Sequence, residues 1–106
     1  MVEIQQAKFF VGQLVHHKLF GYRGVVVDVD PSFDGTDDWY DKVAKSQPPK
    51  GKPWYHVLVD DEEYTTYVAE QHLEPDFTKD SINHPLVNMI FNKFENGAYV
   101  IDRWNN

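Results

Sequence analysis

Histidine has the broadest chemical repertoire among the side chains of this sequence, because imidazole binds metals and titrates near neutral pH. The five histidines lie at positions 16, 17, 56, 72 and 84. Neighbouring residues of a strand point to opposite faces, so His16 and His17 are not expected to share a metal ion. Neither His-x-x-x-His nor His-Glu-x-x-His spacing occurs. The pattern therefore predicts scattered structural histidines and no metal centre.

The acidic segment at residues 30–41 has the spacing of a calcium-binding EF-hand loop. Oxygen-bearing side chains occupy loop positions 1, 3, 5, 9 and 12, and Gly35 occupies position 6. Three features oppose calcium binding: a valine-rich segment precedes the loop where an EF-hand has a helix, loop position 8 is Asp37 and not an apolar residue, and the last ligand is Asp41 where glutamate is usual. We expect an acidic, solvated loop, and the sequence leaves cation binding open.

The serine, carboxylate and glycine patterns do not indicate catalysis. Ser32, Ser46 and Ser81 lie outside any nucleophile-elbow motif, and no glycine-rich phosphate loop is present. Acids in turns, such as those at 60–63, are expected to be solvated and not to form a catalytic pair. The absence of cysteine excludes disulfides and thiol chemistry. We expect a protein that is not an enzyme and that carries no cofactor.

A basic segment beside aromatic residues is a candidate nucleic-acid site, because cations bind phosphates and aromatic rings stack on bases. The residues concerned are Lys42, Lys45, Lys50, Lys52, Trp54 and Tyr55. The alternative is that the lysines keep a long loop soluble while Trp54 covers the core.

Charge is distributed unevenly over the 106 residues, and the formal net charge is −7. Residues 28–41 hold six acids and no base, whereas the four lysines lie within 42–59. This balance disfavours sequence-independent DNA binding outside the lysine segment. No apolar run is long enough for a membrane span and no secretion signal is evident, so a cytoplasmic protein with no membrane association is expected.

Alternation of apolar residues predicts antiparallel strands at about 9–20, 25–29, 54–60 and 64–69. Residues 31–53 read as a long surface loop with one short helical turn, and residues 70–75 as a single helical turn. A helix is predicted from Pro85 through Phe94, ending at Asn96-Gly97, with a short strand over 98–101. The side chains predicted to be buried are Val15, Val25, Val27, Val29, Tyr55, Val57 and Val59.

These elements predict a mainly β fold: a small, five-stranded, SH3-like antiparallel barrel with a long inserted loop and a C-terminal helix. We expect one domain over 1–106, with the barrel core at about 8–75 and the C-terminal helix and strand at about 84–102.

Four segments, in order, resemble the YccV-like family of heat-shock proteins, also called the HspQ or hemimethylated-DNA-binding family. They are GQLVHH at 12–17, YRGVVVDVDP at 22–31, PWYHVLV at 53–59 and YVAEQHL at 67–73. Together they span about two thirds of the chain. The resemblance implies an SH3-like barrel in the bacterial cytoplasm and two roles: binding hemimethylated DNA, and promoting degradation of particular proteins by the Lon protease during heat stress.

Of these roles we rank the non-catalytic protease adaptor first, because the net charge suits it better than DNA binding. Its expected partners are a Lon-type protease and the substrates of that protease, and its expected contact residues are Trp39, Tyr40 and Trp54, since exposed aromatics anchor interfaces. DNA binding through the lysine segment is the alternative. A third hypothesis is a peptide or methyl-lysine reader that uses Trp39, Tyr40, Trp54 and Tyr67. The sequence leaves the oligomeric state open, a homo-oligomer included.

Overall fold

The computed structural model describes residues 6–101 and has a mainly β fold. The strands of the main sheet are β1 Leu14–His17, β2 Arg23–Asp30, β3 Trp54–Val59, β4 Thr65–Ala69 and β5 Leu73–Pro75. All neighbours are antiparallel, and the order across the sheet is β4-β3-β2-β1-β5. The predicted five-stranded antiparallel sheet is confirmed, although only four of its strands, β1 to β4, were located in the sequence. Among the described residues β4 and β5 do not pair, so the sheet is not closed by hydrogen bonds.

A β-bulge at Val27 changes which valines of β2 are buried. Opposite β3, the register shifts between Val26 and Asp28, so Val27 has no partner residue. Val25 and Val26 are both fully buried, whereas Val27 and Val29 are half-buried. Buried and exposed residues therefore do not alternate strictly along β2. The prediction that Val27 and Val29 are largely buried is wrong, since both are half-buried. The other five predicted core residues are buried.

Both faces of the sheet are covered by apolar side chains. On one face Val15, Val26, Tyr55 and Val57 form a cluster with Phe9. The opposite face is covered by the C-terminal segment, whose residues Ile82, Val87, Phe91 and Tyr99 pack on Leu14, Val25 and Leu58. This second layer explains why adjacent valines of β2 are both buried.

The prediction of a C-terminal helix is correct for only one helical turn and wrong for the residues that follow it. Helix α2 covers only Val87–Ile90, and Phe94 lies in strand β6 Lys93–Glu95, which pairs with β7 Ala98–Val100. Asn96 and Gly97 both have positive φ, 55° and 76°, so they form a two-residue hairpin turn and not a helix end. The predicted final strand corresponds to β7.

The inserted segment at 31–53 contains the predicted helical turn as helix α1 Asp37–Val43. The 70–75 segment begins as the expected helical turn, a 3-10 turn over Glu70–His72, but then continues as β5, which was not predicted. No helix within residues 6–101 is both long and apolar enough to cross a bilayer.

Candidate functional site: an apolar groove at the β4 edge

An open groove of about 550 Å³ follows the outer edge of β4. One wall is α1, the other is the turn that joins β1 to β2, and β4 itself forms the floor. The lining residues are His17, Leu19, Phe20, Tyr22, Trp39, Val43, Ala44, Lys45, Ser46, Pro48, Trp54, His56, Thr65, Thr66, Tyr67, Val68, Ala69 and His72. A volume of this order is typical of ligand-binding clefts.

The first wall is positioned by the capped helix α1. The side chain of Thr36 accepts a hydrogen bond from the Trp39 N–H at 3.1 Å, which satisfies one of the free amides of the first helical turn. Behind the helix, the Tyr40 hydroxyl donates to the Pro48 carbonyl at 2.6 Å. The Trp54 indole N–H donates to the Pro49 carbonyl at 3.1 Å. The first two bonds brace the inserted segment internally, and the third ties it to β3.

An aromatic cluster packs beneath α1. It comprises Phe33, Trp39, Tyr40, Trp54 and Tyr67. Ring centroids lie 4.9 Å apart for Phe33 and Trp54 and 5.7 Å apart for Trp39 and Tyr67, distances at which aromatic pairs attract. Trp39 is half-buried in this cluster and also lines the groove.

The second wall is shaped by His17 at the end of β1. The Nδ1 atom of buried His17 accepts hydrogen bonds from the backbone N–H groups of Leu19 and Phe20 at 3.1 and 3.0 Å. Burial, assisted by neighbouring His72 and His16, lowers the pKa of His17 from 6.5 to about 4, so its ring is neutral at physiological pH. The resulting turn projects Leu19 and Phe20 into solvent, 65% and 78% exposed.

The floor of the groove is a free strand edge. Val59 N–H donates to the Tyr64 carbonyl and Glu70 N–H to the Pro53 carbonyl, which fixes the hydrogen-bonded pairs between β3 and β4. In that antiparallel register the backbone groups of Thr65 and Tyr67 point away from β3. Within residues 6–101 these outward groups have no backbone partner. β4 can therefore accept a further strand.

The groove differs in charge from the rest of the chain. Its lining contains no carboxylate and one lysine, Lys45, although the formal net charge of the chain is −7. Burial and nearby Lys18 lower the pKa of His72, whose Nε2 lies 3.2 Å from the Ser46 hydroxyl. The groove lining is thus apolar with one cation, Lys45, and the nearby carboxylate of Asp30 is held by the lining residues Tyr67 and His56.

The predicted contact residues occupy unequal positions. Trp39 reaches the groove, but Tyr40 is 9% and Trp54 1% exposed, so the expectation that both are exposed anchors is wrong. Both rings are covered because the inserted segment folds back on β3. The exposed apolar residues of the groove, Leu19, Phe20 and Val43, were not selected from the sequence. A signal was present, since Leu19 and Phe20 directly precede a turn glycine.

The cage required of a methyl-lysine reader is not open in this structure. Phe33 lies among the four rings proposed to form the cage. Its ring centroid is 5.3 Å from that of Tyr40 and 4.9 Å from that of Trp54. The ammonium of Lys50 lies 4.3 Å from the Tyr40 ring centroid and 3.2 Å from Asp37. The chain's own side chains fill the cluster.

The four lysines proposed for DNA are exposed, but the neighbouring aromatic rings are not available for stacking. Trp54 and Tyr55 are buried, and the Tyr55 hydroxyl donates to the carboxylate of Glu70. The expectation that bases stack on Trp54 or Tyr55 is therefore wrong, because neither ring face is accessible. Lys42 lies in the last turn of α1, Lys45 lines the groove, and Lys50 contacts the aromatic cluster.

The EF-hand spacing does not bring its oxygens together. Asp38 and Asp41 lie on α1, and the ligand group found among the described residues is Asp28, Asp30 and His56, whose atoms lie within 4.8 Å of one another. Asp30 Oδ2 is occupied by hydrogen bonds, from the Tyr67 hydroxyl at 2.7 Å and with His56 Nε2 at 3.1 Å. Burial and this carboxylate raise the pKa of Tyr67.

Comparison with known families gives one match over most of the chain. A family model described as "Hemimethylated DNA-binding protein YccV like" matches residues 7–98. The match includes every strand of the main sheet and the whole groove.

Proposed function

Because the chain belongs to the YccV-like family, we propose that it is a non-catalytic adaptor of the cytoplasm that promotes degradation of particular proteins by a Lon-type protease under heat stress. Its partners in this proposal are the protease and its substrates, and the groove at the β4 edge is the substrate-binding surface.

The observation that carries this proposal is the exposed apolar lining of the groove. Leu19, Phe20 and Val43 are each more than half exposed, and all three line the groove at the β4 edge. Apolar side chains gathered at one concave site mark interaction surfaces, whereas single exposed apolar residues are common everywhere.

The titratable side chains support a non-catalytic role. Arg23 joins Asp60 and Asp76 at 3.0 and 2.8 Å, and it ties β2 to the segment after β5. Burial opposes the charge of Arg23, but the hydrogen bonds and charges of both carboxylates outweigh it and raise its pKa. Every buried polar side-chain atom in the described part of the chain has a hydrogen-bond partner. These groups act structurally.

The proposal is tested by following Lon degradation of candidate substrates with the wild-type protein, Phe20→Ser and Phe77→Ser. Both phenylalanines are about four-fifths exposed, but only Phe20 lines the groove, so Phe77→Ser is a matched control. Loss of the Phe20 contact is expected to weaken substrate binding about tenfold and to reduce the acceleration accordingly. Phe77→Ser should accelerate degradation as the wild type does.

Absence of acceleration across several substrates would contradict the adaptor function. Equal acceleration by both variants would retain the function but place the substrate site elsewhere.

Hemimethylated-DNA binding is the second candidate, and the description of the matching family favours it. The exposed Lys42, Lys45 and Lys52 are the residues proposed to contact phosphate, together with Lys50.

We also propose that the sheet belongs to the SH3-like class. In support, a 3-10 turn joins β4 to β5, and β1 lies between β2 and β5. In addition the Tyr22 hydroxyl lies 2.7 Å from the Thr66 hydroxyl and links the start of β2 to β4.

A further inference from the structure

We propose that the groove binds its substrates by strand addition: an extended protein segment, apolar on both of its faces and free of basic residues, pairs with the outer edge of β4. This inference rests on the proposed adaptor function for its biological meaning, but the binding mode can be tested by itself.

The backbone of β4 supplies the first part of the argument. Thr65 and Tyr67 direct their N–H and C=O groups away from β3, into the groove. Val68 and Ala69 are buried, so the accessible part of the edge is Thr65–Tyr67. Three residues offer about 10 Å, enough to pair with about three residues of a partner. Edge strands with unpaired outward N–H and C=O groups can bind an extended peptide, which then becomes an additional strand of the sheet.

The walls define which side chains the added strand must carry. Alternate residues of β4 point to opposite faces: Thr66 bonds with Tyr22 on the side of the β1–β2 turn, whereas Tyr67 packs on Trp39 on the side of α1. A strand added in the plane of the sheet would lie between the two walls. It would meet Leu19 and Phe20 on one face and Trp39 and Val43 on the other.

The preferred segment is therefore a continuous apolar run and not an alternating one. Such runs are typical of strands buried on both faces in folded proteins. They become accessible when a protein unfolds, so the proposed site would select unfolded chains over folded ones.

Charge complementarity sets the flanks of the segment. The lining has no carboxylate, and Lys45 and nearby Lys18 are the cations beside it. An acidic residue next to the apolar run would be attracted to this end of the groove, whereas a lysine would be repelled.

The test uses a fluorescein-labelled peptide with five central valine and leucine residues and aspartate at both ends. Two N-methylated versions, each carrying methyl groups on one alternate set of backbone amides, separate backbone pairing from side-chain contact. Strand addition predicts that one version loses about tenfold in affinity for each blocked hydrogen bond, while the other binds like the unmodified peptide. Lysine in place of the terminal aspartates, or threonine at alternate central positions, should weaken binding severalfold.

The protein side of the contact is tested with Thr65→Pro and Thr65→Ala. Thr65 is exposed, and its N–H faces away from β3, so proline removes an outward donor without removing a sheet bond. Thr65→Pro should weaken peptide binding about tenfold and Thr65→Ala should not. Amide hydrogen exchange should show Thr65 and Tyr67 becoming protected when peptide is added to the wild type.

Failure of the peptide to bind, equal binding of the two N-methylated versions, or unchanged exchange at Thr65 and Tyr67 would each overturn strand addition. Protection of these amides that rises with protein concentration and without peptide would show that a second copy occupies the edge, which also overturns the proposal. If degradation is accelerated while the two Thr65 variants remain equivalent, the adaptor function stands and the binding mode is wrong. If the peptide binds at the edge without any acceleration of degradation, the binding mode stands and the adaptor function is wrong.

Discussion

A single buried histidine determines the shape of the β1–β2 turn. His17 stacks on Phe20 with ring centroids 4.6 Å apart, and its Nδ1 accepts from two backbone amides of the turn. Both bonds require an unprotonated Nδ1, so the neutral ring is the form that the fold needs. The tautomer that carries the proton on Nε2 is thereby selected.

The lowered pKa of His17 predicts a loss of stability in mild acid. In the unfolded chain the ring takes up a proton near pH 6.5, whereas in the folded protein it does so near pH 4. The unfolded state therefore binds more protons between these values, and the free energy of unfolding falls as the pH decreases from 6.5 to 4. Between pH 7 and pH 5 the expected loss from His17 is about 2 kcal/mol, measured by urea unfolding.

His17→Asn is the control for this measurement, because the asparagine carbonyl can replace Nδ1 as an acceptor but does not titrate. Since the other histidines remain, the relevant quantity is the difference between the two proteins. An equally steep loss of stability in His17→Asn would contradict the assignment to His17.

At the scale of elements, one backbone position joins the C-terminal hairpin to the main sheet. Gly12 donates its N–H to the Val26 carbonyl and accepts from the Tyr99 N–H, both at 2.8 Å. Its φ of 98° is one that other residues rarely adopt, and a Cβ at this position would overlap the carbonyl oxygen of Tyr99.

Gly12→Ala is expected to lower the free energy of unfolding by at least about 2 kcal/mol, because it combines backbone strain with a clash against β7. Gly51→Ala is the matched control, since no atom lies within 4 Å of the added Cβ and its φ is not positive; its effect should stay within about 0.5 kcal/mol. Urea unfolding of the wild type, Gly12→Ala and Gly51→Ala measures the two changes in the free energy of unfolding. Equal stability of Gly12→Ala and wild type would show that the hairpin is not held through this residue.

Four of the five strands of the sheet were predictable from the sequence because they carry local signals, whereas β5, the C-terminal hairpin and the groove were not. The apolar residues at 86, 87, 90, 91 and 94 fit a helix, but Asn96-Gly97 can end a helix or form a hairpin turn. The hairpin is favoured by tertiary contacts of Tyr99. Its ring packs on the sheet and lies 4.5 Å from the Phe94 ring, measured between centroids. Similarly, the burial of Tyr40 and Trp54 depends on where a segment of more than twenty residues folds back, and spacing along the chain does not encode that.

At the scale of the whole molecule, charge separates the two candidate functions. The acids of 28–41 precede the lysine segment directly, and the formal net charge of −7 opposes the approach of any polyanion. DNA binding must therefore rely on a local contact, whereas binding of an apolar segment in the groove does not depend on net charge.

For DNA binding the prediction concerns the slope of affinity against salt, measured on hemimethylated and fully methylated duplexes of one sequence. Contacts to phosphate by the four loop lysines would release at most about four counterions, so affinity should fall on the order of 100-fold between 50 and 200 mM salt. Replacing Lys42, Lys45, Lys50 and Lys52 with glutamine should flatten this slope and weaken binding to both duplexes, because phosphate contacts carry no methylation information.

The chain offers a control of identical net charge for that variant. Its other four lysines, Lys8, Lys18, Lys79 and Lys93, can be replaced with glutamine in the same way, so each variant carries four fewer positive charges than the wild type. Lys50 contacts the Tyr40 ring, so the urea midpoint of both variants is compared first, to confirm that they are folded. Retention of DNA by the control but not by the loop variant would place the contact on the 42–52 segment. Equal loss in both would mean that net charge alone governs binding, and undiminished binding by the loop variant would exclude these lysines from the DNA contact.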